Sequence, residues 1–370
     1  MIPPLTPGDL AQIALLALVF SLIETFLARR LAVRLGMVDR GQSRPASGSA
    51  SRPSPASGGA VPLLGGLAIF AAAALALIPV AGYLTSRPWP ALLATATLMA
   101  LVGLVDDRRP LSPAVKAIAQ LVATGVLIVG GTQVHLFDVE VLNVGLTVFW
   151  VIGITNAMNL LDNMDGLAGG VAAIACAFLV ALAHGPGASP LAAVAVALLG
   201  ATAGFLFHNF HPARIYMGDA GSLFVGFLLA ALAIELRFPA NVDWVTWMVP
   251  VLILGLPIFD TSVVVWSRLR RRIPVWRAGR DHVSHRLVRK GWSVAKAVLL
   301  LYGISAALGV LASIVAHAGA VGAYAVGIAV LCGALLAGWW LERPAWTDGS
   351  SSQPSAPRDR PIRRGWNARN

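Results

Sequence analysis

Runs of roughly 18 or more mostly apolar residues recur along the whole of this 370-residue chain, and such runs have few folds open to them. In a bilayer every backbone polar group needs a partner within the protein, so long apolar runs resolve as α-helices. A β-barrel would show alternating segments of about 10 residues, and that alternation is missing here. Composition points the same way: 57% of residues are hydrophobic, 12% are charged and mean hydropathy is +0.75, which a soluble domain rarely matches. The chain reads as an all-α polytopic membrane protein. Two cysteines, Cys176 and Cys332, sit in apolar runs. They are expected to be small packing residues, with no disulfide framework or metal cluster.

Eleven spans are expected, at about 9–29, 61–84, 89–105, 113–133, 144–161, 167–184, 190–209, 221–237, 244–267, 293–317 and 320–341. The first lacks a basic leader and a small-residue cleavage pattern, so it is expected to be retained. Together the spans form one integral-membrane domain over residues 1–341, carrying two long loops at 37–60 and 268–292. The first loop contains "RGQSRPASGSASRPSPASGG", a Ser/Pro/Gly-rich tract expected to be flexible. The basic tail, 342–370, is expected to be disordered.

The net charge of +11 would suggest nucleic acid as partner for a soluble protein. In a membrane protein it marks cytoplasmic loops instead, so nucleic acid is set aside and the lipid bilayer is the expected partner. Basic residues follow span one (Arg29, Arg30, Arg34), span three (Arg108, Arg109) and span nine (Arg268, Arg270, Arg271, Arg272). With the N-terminus outside and the C-terminus inside, every Lys and Arg except Arg87 and Arg237 falls on or near the cytoplasmic side. Asp106 and Asp107, then Asp162 and Asp165, then Asp219, then Asp281 and His282, all fall on that same face. Four separate loops bring acid or imidazole groups to one membrane surface, which points to a polar site there.

Each motif has an ordinary reading as a helix end or cap, and the combination exceeds it. In "GLVDDRRPLSPAVK" the adjacent aspartates point about 100° apart, so one is suited to a metal and the other to a proton. "NAMNLLDNMDGLAGG" repeats polar groups every three residues at Asn156, Asn159, Asp162 and Asp165, keeping neighbours on one helix face. Gly166 is expected to break that helix, and Gly169 and Gly170 to let backbone approach a ligand. "IYMGDAGSLFVG" opens a helix at Asp219, whose following N–H groups at Ala220, Gly221 and Ser222 suit a phosphate, with Asp219 suited to a metal. "RAGRDHVSHRLVRKGWS" sets His282 and His285 among Arg280, Arg286, Arg289 and Lys290, a phosphate-binding composition. Oxygen ligands without cysteine favour Mg²⁺, or Mn²⁺, over zinc. Clustered aspartates, glycine turns and basic residues then indicate phosphate chemistry, with a soluble phosphorylated donor and a lipid acceptor.

Read together, "VPLLGGLAIF", "VGLVDD", "NAMNLLDNMDGLAGG", "YMGDAGS" and "RDHVSHRL" resemble, in order from Val61 to Leu287, the polyprenyl-phosphate N-acetylhexosamine-1-phosphate transferases (glycosyltransferase family 4). The chain looks nearer the N-acetylglucosamine-1-phosphate branch than the muramoyl-pentapeptide branch, because Ala60 replaces a lysine before the double glycine and a final histidine run is missing. The resemblance implies that undecaprenyl phosphate attacks the β-phosphorus of a UDP-N-acetylhexosamine, most simply UDP-N-acetylglucosamine, releasing UMP. It implies a bacterial cytoplasmic (inner) membrane enzyme of cell-wall or polysaccharide biosynthesis, O-antigen included, and a homodimer as an option. By motif position Asp219 and Asp107 would hold Mg²⁺. Asp106, Asp107, Asp162, His282 and His285 would be catalytic. Lys116, Asn159, Asp165, Asn209, Tyr216, Arg280 and Arg286 would bind substrate, Tyr216 by stacking on uracil.

Two positions depart from the family pattern. Ser284 stands where the usual HxHH motif has a histidine, and the loop before "VPLLGG" is lengthened and lacks a basic-histidine signal. An ion-coupled secondary transporter is the main competing reading, since carboxylates in apolar surroundings also mark ion pathways. Transporter sites lie near the midplane, however, whereas these acids cluster at one face; only Asp260 in "LPIFDTS" is placed deeper, about two turns from the cytoplasmic end, where a structural partnership with a nearby basic or hydroxyl group is expected. A catalytically inactive scaffold is a third reading, disfavoured by the near-complete acidic set.

Overall fold

The computed structural model describes residues 4–39, 60–183, 188–236, 238, 243–275 and 279–343. The Ser/Pro/Gly tract (40–59) and the tail beyond Arg343 lie outside the described residues, as does Arg237. The helices are α1 (Pro7–Arg34), α2 (Gly65–Leu77), α3 (Trp89–Arg108), α4 (Pro113–Gly130), α5 (Glu140–Leu161), α6 (Leu167–Leu182) and α7 (Ala188–Asn209). They continue with α8 (Gly218–Ile234), α9 (Asp243–Thr246), α10 (Met248–Ile253), α11 (Gly255–Arg270), α12 (Val283–Arg289), α13 (Val294–His317) and α14 (Ala320–Glu342). Local chemistry sets many boundaries. Thr6 and Asp9 form a reciprocal capping box at α1. Ser112 and Ser293 cap α4 and α13, and Gly131 ends α4 in the left-handed region (φ 109°).

Every expected span coincides with helix, and eight segments are long and apolar enough to cross a membrane. α6 and α8 are apolar but shorter, at 16 and 17 residues. The ninth expected span, 244–267, is not one helix: it is broken into α9, α10 and α11. Pro257 has no N–H to offer the carbonyl four residues back, and the backbone leaves helical geometry at Leu254 (φ −99°, ψ 20°). The second span tightens after Leu77 into a 3-10 segment, Ile78–Leu84, that carries Pro79 in its first turn and bends at Val80. Within the long loop after α11 the chain forms a short helix, α12.

Contacts between helix ends run in an unbroken series. Leu63, just before α2, donates its N–H to Met37 after α1, beside the short antiparallel pair β1 (Val38–Asp39) and β2 (Val61–Pro62). Gly65 and Gly66 at the start of α2 donate to Tyr216 and Met217, which lead into α8. The end of α3 meets the starts of α4 and α8, and the end of α5 meets α8. The start of α6 meets the end of α7, and α13 reaches the same turn through Tyr302. Alternate helix ends therefore gather on one face, as an up-and-down bundle requires.

All 17 residues of α8 are buried, so this helix runs through the centre with α2, α3 and α5 against it. α14 is buried only at Ala323 and Leu341 and lies at the periphery. Cys176 is buried in α6 as expected, but Cys332 is exposed on α14 and packs no core. Glycines allow the central contact: a Cβ on Gly66 would fall 2.0 Å from the Gly221 nitrogen, and one on Gly103 would fall 2.2 Å from the Asp219 carbonyl oxygen. Gly66→Ala is expected to destabilise the protein by about 2–3 kcal/mol through forced separation of α2 and α8. Gly125→Ala, with nothing within 4 Å of its Cβ, is the control. Thermal melts in detergent should fall for the first and not the second.

Candidate active site

The two aspartates ending α3 divide their work, as adjacent helical positions do. Asp107 reaches the start of α8, where its Oδ1 accepts the N–H of Asp219 (2.8 Å) and its Oδ2 that of Ala220 (3.0 Å). It thereby caps α8, stabilising free N–H groups and the positive end of the helix dipole. The contact needs Gly218: its φ is +71°, and a Cβ there would meet Asp107 Oδ2 at 2.6 Å. This revises one expectation. The Ala220 N–H is taken by a carboxylate of the protein, not left for phosphate. Asp107, expected beside the metal, anchors the helix that carries Asp219.

Asp106 faces the other way, accepting from the Leu111 N–H (2.6 Å) and from Lys116 Nζ (3.1 Å). The same ammonium lies 3.1 Å from Asp219 Oδ2. Asn159 donates to Asp219 Oδ1 (3.0 Å) and to Ser222 Oγ (2.8 Å). Asp106, Asp107 and Asp219 are all buried, and Lys116 is the cation within this network. Buried carboxylates in excess of cations are costly, so the cluster is built to receive positive charge. Among the described residues no three acid or imidazole groups already form a closed metal cage. Mg²⁺ does not need one: it typically takes one or two carboxylates and completes its shell with water and substrate phosphate. The Asp106 and Asp219 oxygens that share the Lys116 ammonium fit that pattern.

The turn after α5 is a junction. Gly166 has φ +77° and starts α6, as the sequence suggested. Its N–H donates to Asn209 Oδ1 (3.0 Å) and its carbonyl accepts from the Tyr302 hydroxyl (2.5 Å). Asn209 also donates to the Ile215 carbonyl (2.8 Å), so this predicted substrate ligand ties two loops together. Asp165 likewise meets protein, pairing with His211 Nδ1 (2.8 Å) and accepting the Ala213 N–H (3.1 Å). Asn156 pairs with Gln120. Asp162 ends α5, half-buried, beside Asn163. Gly169 and Gly170 give room to protein side chains: a Cβ on Gly170 would strike Tyr302 at 2.1 Å, and one on Gly169 would touch Phe205. The Tyr216 ring is buried with Val61 and Leu63 of the β2 region, not presented as an open stacking surface.

The histidine motif is held from below. His282 Nδ1 lies 2.7 Å from Asp260 Oδ2, and the Val283 N–H donates to Asp260 Oδ1 at 2.7 Å. Arg268 forks onto Asp281 (2.9 and 2.8 Å), with Arg271 adding a third contact. Burial raises the Asp281 carboxyl, but the Arg268 guanidinium outweighs it and holds the group below the usual range. The His282 and His285 rings sit 6.3 Å apart, and each keeps a buried Nε2 without a hydrogen-bond partner among the described residues. Burial, then the neighbouring His282 and Arg280, push His285 down to about 4, so it is neutral near pH 7. Arg280 is exposed, whereas Arg286 is buried and bonds the Asp281 carbonyl (2.7 Å) and Glu342 (2.7 Å), fastening α12 to α14. Ser284 donates to Asn163 Oδ1 (2.6 Å), docking α12 on the α5–α6 turn. The position that departs from HxHH is thus a packing contact.

Asn163 and the Arg268–Asp281 fork escaped sequence reasoning as parts of this arrangement, and neither carried a signal. Asp260 carried one, a lone acid in an apolar run, and Ser222, noted for its N–H, acts here through its hydroxyl on Asn159.

Comparison with known proteins covers most of this region. The model of "Glycosyl transferase family 4" matches residues 89–237, which include both aspartates of α3, Asn159 and Asp219. The chain is 32% identical over 297 residues to a probable undecaprenyl-phosphate N-acetylglucosaminyl 1-phosphate transferase of Bacillus subtilis, covering 78% of this chain and 80% of the relative. It is 31% identical over 324 residues to a decaprenyl-phosphate N-acetylglucosaminephosphotransferase of Mycobacterium tuberculosis, covering 80% and 79%. A Yersinia pestis undecaprenyl-phosphate alpha-N-acetylglucosaminyl 1-phosphate transferase is 27% identical over 303 residues, covering 76% and 78%.

Proposed function

Because the chain belongs to glycosyl transferase family 4, in its polyprenyl-phosphate N-acetylglucosamine-1-phosphate transferase branch, we propose that it transfers N-acetylglucosamine 1-phosphate from UDP-N-acetylglucosamine to undecaprenyl phosphate. An oxygen of the lipid phosphate bonds to the β-phosphorus, the bond from that phosphorus to the bridging oxygen breaks, and UMP leaves with the electron pair. The product starts a cell-envelope polysaccharide. The carrying observation is the buried Asp106–Lys116–Asp219 cluster, braced by Asn159, on the face where the helix ends and the histidine motif also gather.

In this reading Asp219 and Asp106 would hold Mg²⁺. Bound there, the ion would offset charge on the diphosphate and the departing UMP. Asp107 fixes the direction of Asp219 through the α8 backbone. Lys116 neutralises the acids and is placed to meet phosphate when it leaves them. Arg280, exposed beside His285, is suited to anionic donor groups. The eleven helical segments cross the bacterial inner membrane with the N-terminus outside, and the basic-residue bias supports the site on the cytoplasmic side.

The test is UMP release by the purified protein in detergent with undecaprenyl phosphate, UDP-N-acetylglucosamine and Mg²⁺. UMP formation that needs the lipid and stops with EDTA is the expected result. Release without lipid, or release indifferent to EDTA, would contradict the acceptor or the metal respectively. No UMP from a folded sample would contradict the reaction.

A further inference from the structure

Asp260 lies in α11, 1% exposed, nearly two turns past the break at Leu254. Both its oxygens are engaged by the histidine loop, one by the His282 imidazole and one by the Val283 N–H, each at 2.7 Å. An ionised carboxylate only accepts hydrogen bonds, so the ring nitrogen facing it, Nδ1, carries the proton. Nε2 is then the bare nitrogen, and it is buried without a partner among the described residues. The ring itself is fully buried. A polar atom left unpaired in the interior needs a reason, and a partner that arrives only with substrate supplies one. The neighbouring His285 Nε2 is in the same condition.

We propose that Asp260 is a positioning residue for the transfer reaction, acting through His282: it fixes the Nδ1–H tautomer and reserves the Nε2 lone pair for a proton on the phosphate groups of the substrates. If Nε2 takes that proton as the lipid phosphate oxygen bonds to phosphorus, the imidazolium formed is already paired with the Asp260 carboxylate. This deepens the reaction proposed above and rests on it.

Asp260→Asn separates the two functions of the carboxylate. Asparagine has one acceptor oxygen. With that oxygen on the Val283 N–H, its NH₂ faces His282 Nδ1, and the imidazole must move its proton to Nε2. The loop stays docked while the lone pair is lost. Expected is a fall in kcat of about 100-fold with KM for the UDP-sugar within about threefold. In a His282→Ala background the same substitution should cost less than about threefold, because its route of action is gone. Losses that multiply in the double variant, or near-normal kcat in Asp260→Asn, would overturn the proposal. Should the variant not fold, ¹⁵N spectra of histidine-labelled wild-type protein decide, with His282 assigned through its loss in His282→Ala. The Nδ1–H form is expected, and an Nε2–H form would overturn it. Wild-type protein that makes no UMP speaks against the reaction itself. Normal wild-type activity with any of the adverse results speaks against Asp260 alone.

Discussion

Asp219→Asn is expected to lower kcat at least about 100-fold, or about 2.7 kcal/mol of transition-state stabilisation, with the protein still folded. The side chain stands where the elements converge. Its Oδ2 shares the Lys116 ammonium with Asp106, and its Oδ1 accepts from Asn159. Asparagine keeps the shape and can still accept one of these bonds, so the helix start held by Asp107 should persist. What it removes is the negative charge on the oxygen proposed to bind Mg²⁺, and that loss should also raise the Mg²⁺ concentration giving half-maximal rate. Lipid-dependent UMP release titrated with Mg²⁺ measures both. A rate within a few-fold of wild type, at unchanged Mg²⁺ dependence, would remove Asp219 from the chemistry.

Lys116→Met should act first on stability. The ammonium, 12% exposed, bridges two carboxylates that are 3% and 11% exposed, and methionine keeps much of the apolar stem while deleting the charge. Removing one partner from a buried ionic cluster typically costs about 3–5 kcal/mol, because the remaining charges are left uncompensated. The melting temperature without divalent ion should drop accordingly. If a metal site lies between the same two oxygens, Mg²⁺ should raise the melting temperature of Lys116→Met more than that of wild type. A ligand binding only the folded state adds about 2.7 kcal/mol at a hundred times its Kd. Equal Mg²⁺ shifts in the two proteins would place the ion elsewhere. Lys116→Arg, which keeps the charge, should melt near wild type.

Much of this architecture is legible in the amino-acid order because membrane helices announce themselves by length and apolarity. The residues before Pro257 mislead for the same reason: hydropathy is blind to a missing N–H, so one apolar run was read where the chain makes three helices. The acids of the site were also legible, since charge in such surroundings needs a purpose. Their division of labour was not. Asp106 and Asp107 are chemically identical neighbours, and only the approach of α8 decides which one meets backbone N–H groups and which meets Lys116. Motif glycines had a similar fate. Gly66, Gly103 and Gly170 allow helices and Tyr302 to come close, a contact with residues distant in sequence that local spacing cannot reveal. Ser284 looked like a lost catalytic imidazole until Asn163, 121 positions away, supplied its partner.

The Asp107 contact also bears on how inactive variants of such a protein are interpreted. An aspartate in an acidic pair at a phosphate-handling site invites a chemical reading whenever its replacement abolishes activity. Here the carboxylate is the plug that closes the exposed amide end of the most interior helix. Alanine at 107 would leave two interior donors bare, and its phenotype would report the assembly of α8 before any catalytic step. Genetic indispensability and participation in bond-making are separable at this position, and an activity screen alone merges them.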